Sequence, residues 1–78
     1  MSYEPAISIH PAKRIEYDGT DNELYIGYAH AGALETDEVW TIQMNEYSGT
    51  NKITSITFAD GTTLFDRKWS DRAIYIYS

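Results

Sequence analysis

The chain has no cysteine. That excludes disulfide staples, cysteine-ligated zinc, iron–sulfur clusters and thiol catalysis. It is short of cations, with six Lys and Arg against twelve Asp and Glu and a net charge of −6. Such a balance speaks against a non-specific nucleic-acid binder, which needs positive charge to displace counterions from phosphate, and against docking on an anionic membrane. No apolar run approaches the roughly 20 residues of a membrane helix, and the start Met-Ser-Tyr-Glu-Pro does not read as a signal peptide. Seventy-eight residues leave no room for a second core. What the chain does have is apolar content, 42 %, and aromatic side chains, among them seven Tyr and two Trp. The composition is globular.

Size then poses a stability problem. A domain this small commonly needs a disulfide, a metal or a partner. The first is excluded and the second has no evident ligand set, which leaves a partner chain. Tyr and Trp suit that role, because they join apolar area to a polar handle and concentrate at interface centres.

The dominant sequence period is two. Lys13 to Asp18 reads as a short strand. Glu23 to His30 alternates Leu24, Ile26 and Tyr28 against Tyr25, Gly27 and Ala29. Val39 to Tyr47 alternates Trp40, Ile42 and Met44 against Thr41, Gln43 and Asn45, the pattern of a half-buried antiparallel strand. Lys52 to Ala59, Thr62 to Phe65 and Ala73 to Tyr77 complete the set. Asp18-Gly19, Ser48-Gly49 and Asp60-Gly61 offer the positive φ of tight turns, and Asp60-Gly61 is the strongest hairpin signal. Ala31 to Glu38 reads as a loop or one helical turn, and Phe65 to Arg72 as a structured corner. The expected fold is all-β: a small antiparallel barrel or sandwich of five to six strands over residues 13–78. Residues 1–12, with Pro5 and Pro11, read as an N-terminal arm or edge strand, since proline cannot serve a central ladder.

Chemistry-bearing constellations are sparse. His10 and His30 have no second ligand at helical or hairpin spacing, and two surface or hydrogen-bonded histidines are the expectation. Asp18 to Glu23 resembles a calcium loop only superficially, lacking the distal bidentate Glu; its Asp and Asn are expected to build the turn. No serine sits in a nucleophile-elbow context and no glycine-rich phosphate loop exists. Carboxylate pairs picked from Asp60, Asp66 and Asp71 carry little information in so acidic a chain. The expectation is no enzymatic activity, no metal and no cofactor. Phe65 to Arg72 holds three of the six basic residues and Trp69. Asp66 or Asp71 is expected to pair with Arg72 beneath Trp69, a corner staple that with Trp40 holds the fold. Candidate partner-binding positions are Tyr3, Ile7 and Ile9 on the arm, and Tyr25, Tyr75 and Tyr77, whose faces serve either the core edge or a stacking platform.

YIGYA, a glycine shortly after it, a Trp-x-Ile strand, FADGT, and FDRKWSDRA running into IYIYS together resemble a group of small β-rich proteins of tailed bacteriophages. Its marks here are Gly27, Ala29, Gly32, Trp40, Ile42, Ala59, Asp60, Gly61, Phe65, Asp66, Trp69, Asp71, Arg72 and Tyr77, spread over Tyr25 to Tyr77. Such proteins are found among virion structural genes and commonly carry no assigned enzymatic activity. The resemblance implies a structural protein of the virion, made in the bacterial host cytoplasm. It would act as capsid decoration or cement, or as a tail adaptor, within a homo-oligomer and against other virion proteins. Two other readings stand beside it. One is a small acidic inhibitor mimicking DNA, with Asp18, Asp21, Glu23, Glu35, Asp37 and Glu38 on one face. The other is a carbohydrate-binding module at a fibre tip, using exposed Tyr and Trp.

Overall fold

The computed structural model describes residues 12–78, and these form an all-β fold. β1 (Ala12–Tyr17), β2 (Glu23–Ala29), β3 (Glu38–Tyr47) and β4 (Ile53–Phe58) follow one another as an antiparallel meander in the order β1-β2-β3-β4. A two-residue strand, β5 (Arg67–Lys68), pairs with the start of β3, beyond the stretch that β4 covers. A single 3-10 turn over Trp69–Asp71 follows it. The expected small antiparallel all-β fold forms, and of its two versions, barrel or sandwich, the barrel does not: the sheet stays open. Four full strands are too few to curl around a filled interior. The C-terminal segment instead lies across one face.

The register decides which face that is. Gly27 pairs with Ile42 and Tyr25 with Met44, so Tyr25, Gly27 and Ala29 share a face with Trp40 and Ile42. This inner face holds the core: Ala29, Ala33, Trp40, Ile42, Ala59 and Trp69, with Trp40 and Ile42 wholly buried. Burying an indole of about 200 Å² contributes roughly 5 kcal/mol of gross apolar stabilisation. Two such side chains therefore dominate so small a core. Ile15, Ile26, Thr41, Gln43, Asn45, Ile56 and Phe58 lie on the opposite, outer face.

The turns follow the expected chemistry with one exception. Gly19 takes φ 96°, and Asp60 and Gly61 take φ 52° and 70°, the doubly positive pattern of a primed turn. In the β3–β4 connection, however, the positive φ falls on Asn51 at 63° rather than on Gly49. Asn tolerates this conformation, and its Oδ1 accepts a 3.0 Å bond from Asn22 Nδ2 of the β1–β2 turn.

Two expected strands do not form. After the Asp60-Gly61 turn, Thr62 to Phe65 stays irregular, because Thr62 Oγ1 captures the Leu64 amide at 3.0 Å and closes a local turn. Ala73 to Tyr77 contributes only a bridge from Tyr77 to Ala59. The Ile74 amide is already committed to the Asp71 carbonyl. The tail still guards the end of β4: the Phe58 and Ser78 backbones bond each other reciprocally, and the Asp60 amide donates to the Ile76 carbonyl. Ala12 belongs to β1, so the strand starts one residue before the expected boundary.

Candidate functional site

The corner from Phe65 to Arg72 is held by several hydrogen bonds and ion pairs, and its geometry starts at a glycine. Gly27 sits mid-strand in β2, where glycine costs propensity and marks a close approach. A Cβ built there would lie 2.6 Å from Trp69 Cε3 and 3.1 Å from Trp40 Cε3. The missing side chain is thus the slot that seats Trp69, which is 4 % exposed. The two indoles meet tilted, their centroids 6.0 Å apart, a favourable arrangement for aromatic quadrupoles.

Arginines close both ends of this pair. The Arg72 guanidinium lies 4.7 Å from the Trp69 ring and donates to Glu16 at 2.6 Å. Arg14 lies 5.6 Å from the Trp40 ring and bonds Glu35 at 3.1 Å. Arg72 therefore takes Glu16 of β1, and the expected pairing with Asp66 or Asp71 is corrected. Asp66 instead pairs with Arg67, which also bonds Asp60. The reason is geometric. The 3-10 turn aims Arg72 across the inner face, while Asp66 precedes β5 beside Arg67. Two bonds to the β2–β3 loop's carbonyls tie the corner down: the Ser70 amide donates to Glu35 at 2.9 Å, and the Trp40 Nε1–H to Leu34 at 2.9 Å.

Tyr25, Tyr75 and Tyr77 are half-buried and pack against this core. Tyr25 and Tyr77 touch with centroids 5.5 Å apart. The Tyr75 hydroxyl accepts the Lys68 amide at 2.8 Å, and the Tyr77 hydroxyl donates to the Arg72 carbonyl at 2.7 Å. Burial pushes the Tyr77 phenol well above its usual ionisation range, helped by the neighbouring Tyr25 and Tyr75. The alternating partners Ile74 and Ile76 point away from the core, 75 % and 77 % exposed. Tyr3, Ile7 and Ile9, the expected gripping residues, lie outside the described residues, as do His10 and both prolines.

The acidic turn is built by its own side chains. Asp18 Oδ1 accepts from both the Thr20 hydroxyl at 2.6 Å and the Thr20 amide at 2.9 Å. Those bonds stabilise the carboxylate and hold its ionisation below the ordinary range. His30 is exposed, and its Nδ1–H donates to the Ala31 carbonyl at 2.8 Å. Among the described residues no three His, Asp or Glu side chains converge as a metal site would require.

Sequence reasoning missed Glu16 and Arg14 as the partners that close the aromatic stack. Neither had a local signal, since each meets residues distant in sequence. Gly27 did carry a signal: an isolated glycine inside an otherwise regular strand pattern. Comparison with family models, with curated proteins and with solved structures returned no match.

Proposed function

We propose that this chain is a non-enzymatic structural protein of a tailed-phage particle. It decorates or cements the capsid, or adapts one tail component to another, through protein–protein contacts. The reading assigns it no catalytic residue and no cofactor. One observation carries it. In a chain this small, large apolar side chains are left on the surface, with Ile74, Ile76 and Leu64 all more than 60 % exposed. Exposed apolar area of that kind marks surfaces that meet other proteins. The resemblance over Tyr25 to Tyr77 supplies the particle, and a repeated lattice supplies the partners that a small domain gains from by mass action.

The geometry favours neither rival. A DNA mimic needs a continuous carboxylate track. Asp18, Asp21 and Glu23 cluster at the β1–β2 turn, whereas Glu35, Asp37 and Glu38 cluster at the β2–β3 loop, the other end of the sheet. A sugar-stacking platform needs free aromatic faces, and Trp40 and Trp69 are both buried. The test is mass spectrometry of purified particles alongside deletion of residues 1–10. Stoichiometric presence in particles, with incorporation weakened by the deletion, is the expected result. Absence from particles together with capture of a host enzyme overturns the reading.

A further inference from the structure

Two Asp-Gly pairs stand in the chain, Asp18-Gly19 and Asp60-Gly61. An aspartate followed by glycine is open to a spontaneous reaction, because glycine has no side chain to shield its amide nitrogen. That nitrogen attacks the Asp Cγ. The carboxyl group, protonated from solvent, loses its OH together with the amide proton as water, and a five-membered succinimide closes. A second water then opens one of the two carbonyls of the ring. Opening at one returns aspartate. Opening at the other gives isoaspartate, in which the main chain runs through Cβ and Cγ and the α-carboxylate becomes the side chain. Water is the only co-reactant. In sequence the two pairs are equivalent, and the fold makes them different.

At Asp60-Gly61 both reacting groups are held. The Gly61 amide donates to the Phe58 carbonyl at 2.9 Å, and the Asp60 amide before it to the Ile76 carbonyl at 2.6 Å. Asp60 Oδ2 accepts from Arg67 Nε at 3.0 Å. Space is short as well, since a Cβ built at Gly61 would lie 2.8 Å from Ser78 Oγ. At Asp18-Gly19 the carboxylate is also held, its Oδ1 accepting from the Thr20 hydroxyl and amide. The glycine is what differs. Among the described residues no hydrogen bond reaches the Gly19 amide, and a Cβ built at Gly19 would meet nothing within 4 Å. Attack requires the amide nitrogen to swing toward Cγ, and of the two glycines Gly19 has the freedom to do so. Asp18 and Gly19 are both exposed, so water reaches them.

We propose that Asp18-Gly19 is the site at which this chain forms isoaspartate, while the Phe58 carbonyl and the C-terminal tail protect Asp60-Gly61. Both carboxylates are held, so the glycine side sets the scale. Breaking one amide hydrogen bond before reaction slows Gly61 by about fivefold. At Asp18 the product draws into the main chain the carboxyl carbon whose oxygen accepted both Thr20 bonds, so the β1–β2 turn loses its side-chain brace. The proposal stands apart from the virion reading, because it concerns the purified chain alone.

The test ages the full chain at neutral pH, folded in buffer and unfolded in concentrated urea, and locates isoaspartate by mass spectrometry with electron-transfer fragmentation. Circular dichroism checks that the buffered sample stays folded throughout. In the folded chain isoaspartate is expected to accumulate at Asp18 about fivefold or more faster than at Asp60. In urea the two rates are expected to converge, because both glycine amides are then free. Equal rates in the folded chain, or a faster rate at Asp60, overturn the proposal. So does a folded chain that forms no isoaspartate at Asp18 while the urea sample does. A preference for Asp18 that persists undiminished in urea overturns it too, since neighbouring sequence rather than the fold would then set the rate.

Discussion

Gly27→Ala tests the seating of Trp69 most directly. The added methyl would stand 2.6 Å from Trp69 Cε3 and 2.9 Å from Cζ3, with Trp40 Cε3 at 3.1 Å. Carbon atoms pack at about 3.5–4.0 Å, so the shortfall against Trp69 is about 1 Å. Neither indole can easily yield. Trp40 is wholly buried and hydrogen-bonded through Nε1, and the backbone at Trp69 is held by the Ser70 amide's bond to Glu35 and by the Arg72 amide's bond to its own carbonyl. Overpacking of this kind costs about 1–3 kcal/mol. Against it stands the gain from replacing a flexible residue in a strand, about 0.5–1 kcal/mol. The net expectation is a loss of about 1–2 kcal/mol. For a domain of this size that lowers Tm by roughly 5–15 °C. Urea unfolding followed by tryptophan fluorescence reads the change, since the probe sits at the clash. The same substitution in a Trp69→Ala background, where nothing opposes the methyl, should be neutral or slightly stabilising. A Gly27→Ala chain as stable as wild type, or equal effects in both backgrounds, would refute the slot.

Other consequences follow from the same corner and from the two perturbed groups. Arg72→Lys keeps the charge but loses the planar stack over Trp69; a loss of about 1 kcal/mol in chemical denaturation is expected, against about 0.5 kcal/mol for Glu16→Gln, and the reverse order would mean that the ion pair rather than the stack matters. Tyr77 ionises higher in the folded chain than in the unfolded one, so its contribution is complete below about pH 10 and is lost as pH rises beyond that point. Tyr77→Phe should cost about 1 kcal/mol at neutral pH through the lost bond to Arg72, and should flatten the alkaline fall in stability; an unaltered alkaline limb argues against the phenol's burial as its cause. Asp18 runs the opposite way: its depressed ionisation contributes stability that is present above about pH 4 and lost as pH falls below it. Asp18→Asn, which can still accept the Thr20 bonds, should flatten the acid limb of a thermal melt series while changing neutral stability little.

Much of the fold was legible as pattern. Alternation in Glu23 to His30 and Val39 to Tyr47 marked β2 and β3 within a residue of their ends, because a half-buried strand writes a period of two. Where side chains compete with the backbone, the pattern misled. Thr62 to Phe65 has strand-forming residues, but the Thr62 hydroxyl takes the Leu64 amide. The corner was legible as unusual and its partners were not. Arg72 had two acidic neighbours in sequence, and proximity in sequence suggested them, while the 3-10 turn sends the guanidinium to Glu16 on β1 instead.

From the residues alone come the all-β class, the four long strands, the turns at Gly19 and Gly61, and the absence of any covalent brace. Those properties are local or compositional, so each is written within a few neighbouring residues. Which side of the sheet is inside was not written there. Leu24, Ile26 and Tyr28 are more apolar than Tyr25, Gly27 and Ala29, and yet the latter face carries the core. Tertiary structure decided it, because Trp69 arrives from the far end of the chain and fits only where β2 offers no side chain.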